Sequence, residues 1–137
     1  AENSHLTNPF YFLMMKTKKG GIPMKQSPES LAAITKAVAA AYRSVFGSAI
    51  EKIVLYGSYA RKDNTADSDI DLVAIVHGER ADLQKRLEKV WDICDDLERK
   101  YSVLISPTVI PYAEYMKYKN TLPYYRNMEK EGVAISA

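Results

Sequence analysis

Two aspartates one residue apart, Asp69 and Asp71, are the side chains of this sequence best placed to do chemistry, and ten residues before them ends the pair Gly57-Ser58. In an extended strand alternate side chains leave the same face, so the two carboxylates project together about 7 Å apart along the backbone, with Ile70 turned to the core. Paired oxygen donors on a rigid strand suit a hard cation such as Mg²⁺, which is commonly held by one or two carboxylates and completed by substrate phosphates. Gly57 lets a backbone come close to a phosphate. Ser58, with a short helix starting at Tyr59-Ala60-Arg61, offers hydroxyl and N–H donors to anionic oxygens. Residues 53–76 therefore carry both halves of a nucleoside triphosphate site: Asp69 and Asp71 for the metal, Gly57 and Ser58 for the nucleotide.

Those groups need two strands to hold them, and the flanking sequence supplies them. The apolar runs at 50–56 and 70–76 read as strands joined by a polar loop. Ahead of them, Ser27-Pro28-Glu29 is a helix start, with a capping hydroxyl, a proline in the first turn and an acid beside it. Leu31, Ile34, Val38, Ala41, Tyr42 and Val45 recur at helical spacing until Gly47. From Glu79 to Lys100, Leu83, Leu87, Val90, Trp91, Cys94 and Leu97 form one apolar stripe of a second long helix. A third strand is expected over Ser102–Ile110, bent or ended by Pro107 and Pro111. Two short helices at 111–116 and 122–131 follow, then a small edge strand at Val133-Ala134-Ile135. The order predicts an α/β (α+β) fold: a small mixed β-sheet with helices packed on one side and the polar loop at one end of it.

Length and composition narrow the function classes. At 137 residues and 47% hydrophobic content, the chain suffices for one domain with a modest core, assigned to residues 27–137. Its net charge of +2 comes from interleaved acids and bases, which does not favour nucleic acid as a partner. No apolar run approaches the roughly 18 residues of a membrane span. The single Cys94 cannot form an intramolecular disulfide and fits a reducing cytoplasm, with a buried helix face as its expected place. Residues 1–26 read as an N-terminal extension ending in a basic linker. One hypothesis makes this segment upstream DNA read as protein, with the natural start at Met24.

Gly57-Ser58, ten residues, then Asp69-Ile70-Asp71, in strand–loop–strand context, resembles the signature of the nucleotidyltransferase (DNA polymerase β-like) superfamily. The short chain is similar to its minimal, MNT-type members over roughly residues 28–136. The resemblance implies a nucleotidyltransferase fold in which Asp69 and Asp71 bind Mg²⁺, Gly57-Ser58 holds the triphosphate of ATP, and a nucleoside monophosphate passes to an acceptor hydroxyl. Arg61 and Lys62, just past Ser58, are candidates to neutralise phosphate charge; the competing reading makes them exposed cations at a helix end. Minimal members are typically paired with a HEPN-domain toxin, so the resemblance implies an antitoxin that adenylylates its partner. The toxin's own Arg-x(4–6)-His motif is absent, since neither His5 nor His77 has an arginine at that spacing upstream.

One departure qualifies the match. The family commonly places a third carboxylate on the next core strand, and here Leu104 stands where it is expected, with Asp63, Asp67 and Glu114 as weak candidates elsewhere. A second reading follows from that, a binding module with a degenerate site that neutralises a HEPN partner by contact alone. An aminoglycoside-modifying enzyme is disfavoured, because it needs more C-terminal chain for its acceptor pocket. Tyr112, Tyr115, Tyr118, Tyr124 and Tyr125 are expected mostly in packing, with helices 111–131 as the expected partner face. A homo-oligomer is compatible with the sequence.

Overall fold

A computed structural model describes residues 22–135. Most of the extension expected at 1–26 lies outside the described residues. Its last residues, Met24 and Gln26, are tied to the domain: the Met24 amide donates to the Ser102 carbonyl at 3.0 Å, and Gln26 donates to the Tyr101 carbonyl at 2.8 Å.

Helix α1 runs Pro28–Phe46 from a Ser27 cap whose hydroxyl accepts the Ser30 amide at 3.1 Å. It ends at Gly47, and a single 3₁₀ turn leads into β1, Ile50–Tyr56. A four-residue helix α2, Ser58–Arg61, opens the loop to β2, Ile70–Val76. Then follow α3, Arg80–Tyr101; β3, Ile105–Pro111; α4, Tyr112–Tyr118; α5, Pro123–Glu131; and β4, Val133–Ile135. The sheet order is β3-β2-β1-β4, with β1 antiparallel to β2 and β4, and β2 parallel to β3 through the α3 crossover. This is the mixed α+β fold the sequence predicts.

Strand parity sorts the core into two layers. Ile53, Leu55, Ile70, Leu72, Ala74, Val76, Ile105 and Val109 face α1 and α3, whose Ile34, Val38, Tyr42, Leu83, Leu87 and Val90 are fully buried. The opposite face carries Val54, Val73, Ile75 and Ile110 against Tyr115, Tyr125 and Met128 of α4 and α5. The two long helices thus share one side as expected, while the short C-terminal pair covers the other. Periodicity reports that a helix has an apolar face but not which face of the sheet receives it.

Strand β3 shows where local rules gave way to context. It begins at Ile105 rather than Ser102, and Pro107 sits inside it without bending or ending it. In the parallel register the Ile70 amide donates to Leu104, so the amides of Ser106, Thr108 and Ile110 turn toward β2 while positions 105, 107 and 109 turn to the open edge. Proline's missing donor therefore falls on the edge side, where no ladder bond is lost. The edge amide of Ile105 donates to the Glu98 carboxylate at 2.8 Å, and Trp91 donates its indole N–H to the Pro107 carbonyl at 2.9 Å. Glu98 is consequently buried, whereas the neighbouring Leu97 of the expected stripe is half-buried. Tyr42, with no exposed surface, donates to the carbonyls of Thr108 at 2.7 Å and Leu72 at 3.1 Å, fixing α1 across β2 and β3.

Candidate active site

The site is built at the end of the sheet where β1 stops and β2 starts. Asp71 is the register partner of Tyr56, the last residue of β1, so Gly57 lies over its carboxylate. Gly57 has φ +78°, and a methyl group added there would come 2.5 Å from Asp71 Oδ2. Two requirements coincide at this one residue: a backbone conformation that favours glycine and a space already filled by a carboxylate. Its carbonyl accepts the amides of Ala60 and Arg61, both at 3.0 Å, which winds α2 immediately after the strand. Ser58 is the first residue of that turn, and Lys62 closes it in the left-handed conformation at φ 65°.

Asp69 and Asp71 come together as the alternation predicts. Burial is the main cause that pushes Asp71 up to about 7, and the Asp69 charge adds to it while Arg61 opposes it. A half-buried carboxylate crowded by another is neutralised by a proton or favoured as the anion by a bound cation. The donor set, two carboxylates on neighbouring positions of one strand end, has the chemistry that a hard divalent ion such as Mg²⁺ takes. Among the described residues no three His, Cys, Asp or Glu side chains gather as a metal-holding group.

The structure also accounts for the candidate third acids. On β3, Ser106 is the register partner of Asp71, and Leu104 lies two residues earlier on the same side; neither is acidic. Glu114 belongs to α4, which follows the far end of β3, and it is bound to Arg80 and to the Tyr125 hydroxyl at 3.0 Å. Asp63 pairs with Arg61 at 3.2 Å, and Asp67 sits in the turn whose amide donates to Thr65 Oγ1 at 3.3 Å. An acid that sequence reasoning missed is Glu131 at the end of α5, 3.8 Å from Arg61. Arg61 is thus held between Asp63 and Glu131, where its charge opposes the rise of Asp71, and both Arg61 and Lys62 are exposed at the helix end.

The tyrosine-rich segment divides. Tyr115 and Tyr125 are buried packing residues, their phenols raised by burial first and by Glu129 and Glu114 second. Tyr124 is 45% exposed; its ring meets Tyr56 edge-on at 5.6 Å, and its hydroxyl end is raised by burial, then by Tyr56 and Asp71. No spacing in the sequence could place α5 over the Asp pair, because that contact depends on the path of the chain after β3. Cys94 is buried in α3 as expected, and burial pushes its thiol up to about 12, which makes it a core residue and not a nucleophile.

The family model described as "Nucleotidyltransferase domain" matches residues 36–132. A Methanocaldococcus jannaschii protein named "Putative protein adenylyltransferase MJ0604" is 35% identical over 92 residues, 67% of this chain and 84% of its own. A second from the same organism, "Putative protein adenylyltransferase MJ0141", is 30% identical over 88 residues, 63% of this chain and 79% of its own. A solved structure titled as a "putative nucleotidyltransferase" from Sulfolobus solfataricus overlaps 90% of this chain and 84% of its own at 16% identity and TM-score 0.45. With Asp71 seated against Gly57 and the family model spanning most of the domain, the chain belongs to the nucleotidyltransferase domain family and is a transferase.

Proposed function

We propose that this protein transfers AMP from ATP to a hydroxyl of a partner protein, with Mg²⁺, as the antitoxin half of a HEPN toxin pair in the cytoplasm. The observation that carries the transfer is the Asp69/Asp71 pair with Gly57 closed against Asp71, and the names of the two curated relatives support adenylyl as the group moved. Asp69 and Asp71 would hold the cation. Bound there, it would supply positive charge to the phosphates and ease departure of pyrophosphate. Gly57 keeps the turn close enough for phosphate to lie against backbone, with Ser58 as the adjacent hydroxyl donor. Arg61, released from one of its two acidic partners, reaches phosphate oxygens, and Lys62 adds charge from the surface. In-line displacement of this kind depends on position and electrostatics, which rigid strand ends provide. The partner face we assign to the segment 111–131.

The non-acidic Leu104 and Ser106 favour a second reading, a module that neutralises its partner by contact. One experiment separates the two. The protein and a HEPN-domain partner are incubated with ATP and Mg²⁺, beside an Asp69→Asn/Asp71→Asn variant, and the partner's intact mass is measured. The partner is expected to gain the mass of AMP with the parent protein and to lose at least 10³-fold of that rate with the variant. Unmodified partner that is neutralised equally by both proteins would establish the contact reading instead.

A further inference from the structure

The proposed adenylyl transfer needs an acceptor hydroxyl near the carboxylates, and the chain carries one of its own on the sheet face of Asp71. Helix α5 begins at Pro123, so Tyr124 stands in its first turn, on the sheet face that carries Asp71. Its ring rests edge-on against Tyr56 at 5.6 Å and an interplanar angle of 75°, and Tyr56 is the strand neighbour of Asp71. On the next strand Ser106 lies opposite Asp71, with Thr108 two residues on along the same face, and the Tyr124 hydroxyl reaches this row beside Thr108. The residue as a whole is 45% exposed, unlike the buried Tyr115 and Tyr125 on the same pair of helices, while its hydroxyl turns inward and is hydrogen-bonded to the Thr108 side chain, a bond that a bound nucleotide must open. Pro123 fixes the start of the helix, and the packing of Tyr125 and Met128 into the core below it holds Tyr124 at the site.

We propose that Tyr124 is an acceptor in cis: with ATP bound on Asp69 and Asp71, the protein adenylylates its own Tyr124 hydroxyl. In the reaction the Tyr124 oxygen bonds to the α-phosphorus, the bond from that phosphorus to the bridging oxygen of pyrophosphate breaks, pyrophosphate leaves and the phenol proton passes to water. No atom changes oxidation state. The product carries AMP on the wall of its own site, so modification blocks further binding of ATP. This inference rests on the adenylyl transfer proposed above.

The full chain, incubated with ATP and Mg²⁺, is expected to gain one AMP per molecule by intact mass, with peptide fragmentation placing it on Tyr124. Tyr124→Phe is expected to lose at least tenfold of the self-modification, as is Asp69→Asn/Asp71→Asn, whereas Tyr56→Phe keeps Tyr124 as the modified residue. A second readout is the affinity for α,β-methylene ATP by calorimetry, expected to be equal in the parent and in Tyr124→Phe. Loss of analogue affinity in Tyr124→Phe in step with its loss of label overturns the proposal and makes Tyr124 a binding wall. AMP found on another residue overturns it as well. A chain that stays unmodified while transferring AMP to an added partner overturns self-modification and leaves the proposed function standing, and a chain that neither binds the analogue nor transfers AMP removes both.

Discussion

Replacing Asp71 by asparagine is expected to stabilise the metal-free protein at neutral pH while it abolishes nucleotidyl transfer. The carboxyl is pushed up to about 7 from an ordinary value of 3.8, mainly by burial and further by Asp69. A group whose folded pKa is raised favours the protonated fold. Its contribution is fully present below about pH 4, shrinks as pH rises between 4 and 7, and above 7 the ionised carboxylate is a fixed cost. That rise corresponds to about 4 kcal/mol at most. Because asparagine keeps a buried polar group, a gain on the order of 2 kcal/mol above pH 7 is the expected result, vanishing near pH 4. Urea unfolding of both proteins across that range, without divalent ions, measures it. Added Mg²⁺ and ATP should stabilise the parent and not the variant, since only the parent keeps the full carboxylate pair. Equal stability of the two proteins at every pH would show that Asp71 carries no such burden.

The second large effect is expected at Gly57. Alanine there faces two obstacles, a φ of +78° and a methyl group 2.5 Å from Asp71 Oδ2. Either the turn shifts or the carboxylate swings away, and a displacement of about an ångström at a reacting centre costs on the order of 10²-fold in rate. Gly57→Ala is expected to lower kcat/KM for ATP by 10²–10³ and stability by about 1–3 kcal/mol. The two causes separate in a double-mutant cycle. In an Asp71→Ala background the steric part of the stability loss disappears and the backbone part remains, so the two substitutions are expected to be less than additive. Strict additivity would mean that Gly57 and Asp71 do not press on each other.

Most of the framework was legible because it is local. The bounds of α1, β1, β2, α5 and β4 follow from capping, alternation and punctuation, and the Gly57-Ser58 and Asp69/Asp71 halves meet because one loop joins two paired strands. What escaped the sequence is non-local. Pro107 reads as a strand breaker until β3 is known to be an edge strand with that position's donor side facing outward. Glu98, next to Leu97 of the apolar stripe, has no local signal for burial; its place is set by the edge amide of Ile105, which its carboxylate accepts. Glu131 and Tyr124 have no signature at all; they become site residues because α5 crosses the face of the sheet that carries Asp71. The unexpected second layer of helices is therefore what completes the site's wall.

The central claim is that this end of the sheet moves a nucleotidyl group, and labelled ATP tests it most directly. Parallel reactions with Mg²⁺ and partner protein use ATP labelled at the α-phosphate in one and at the γ-phosphate in the other. The account predicts protein-bound label from the α position only, with γ-label released as pyrophosphate, and neither label bound when Asp69 and Asp71 are both asparagine. Protein-bound γ-label, or α-label that persists in that variant, would contradict it.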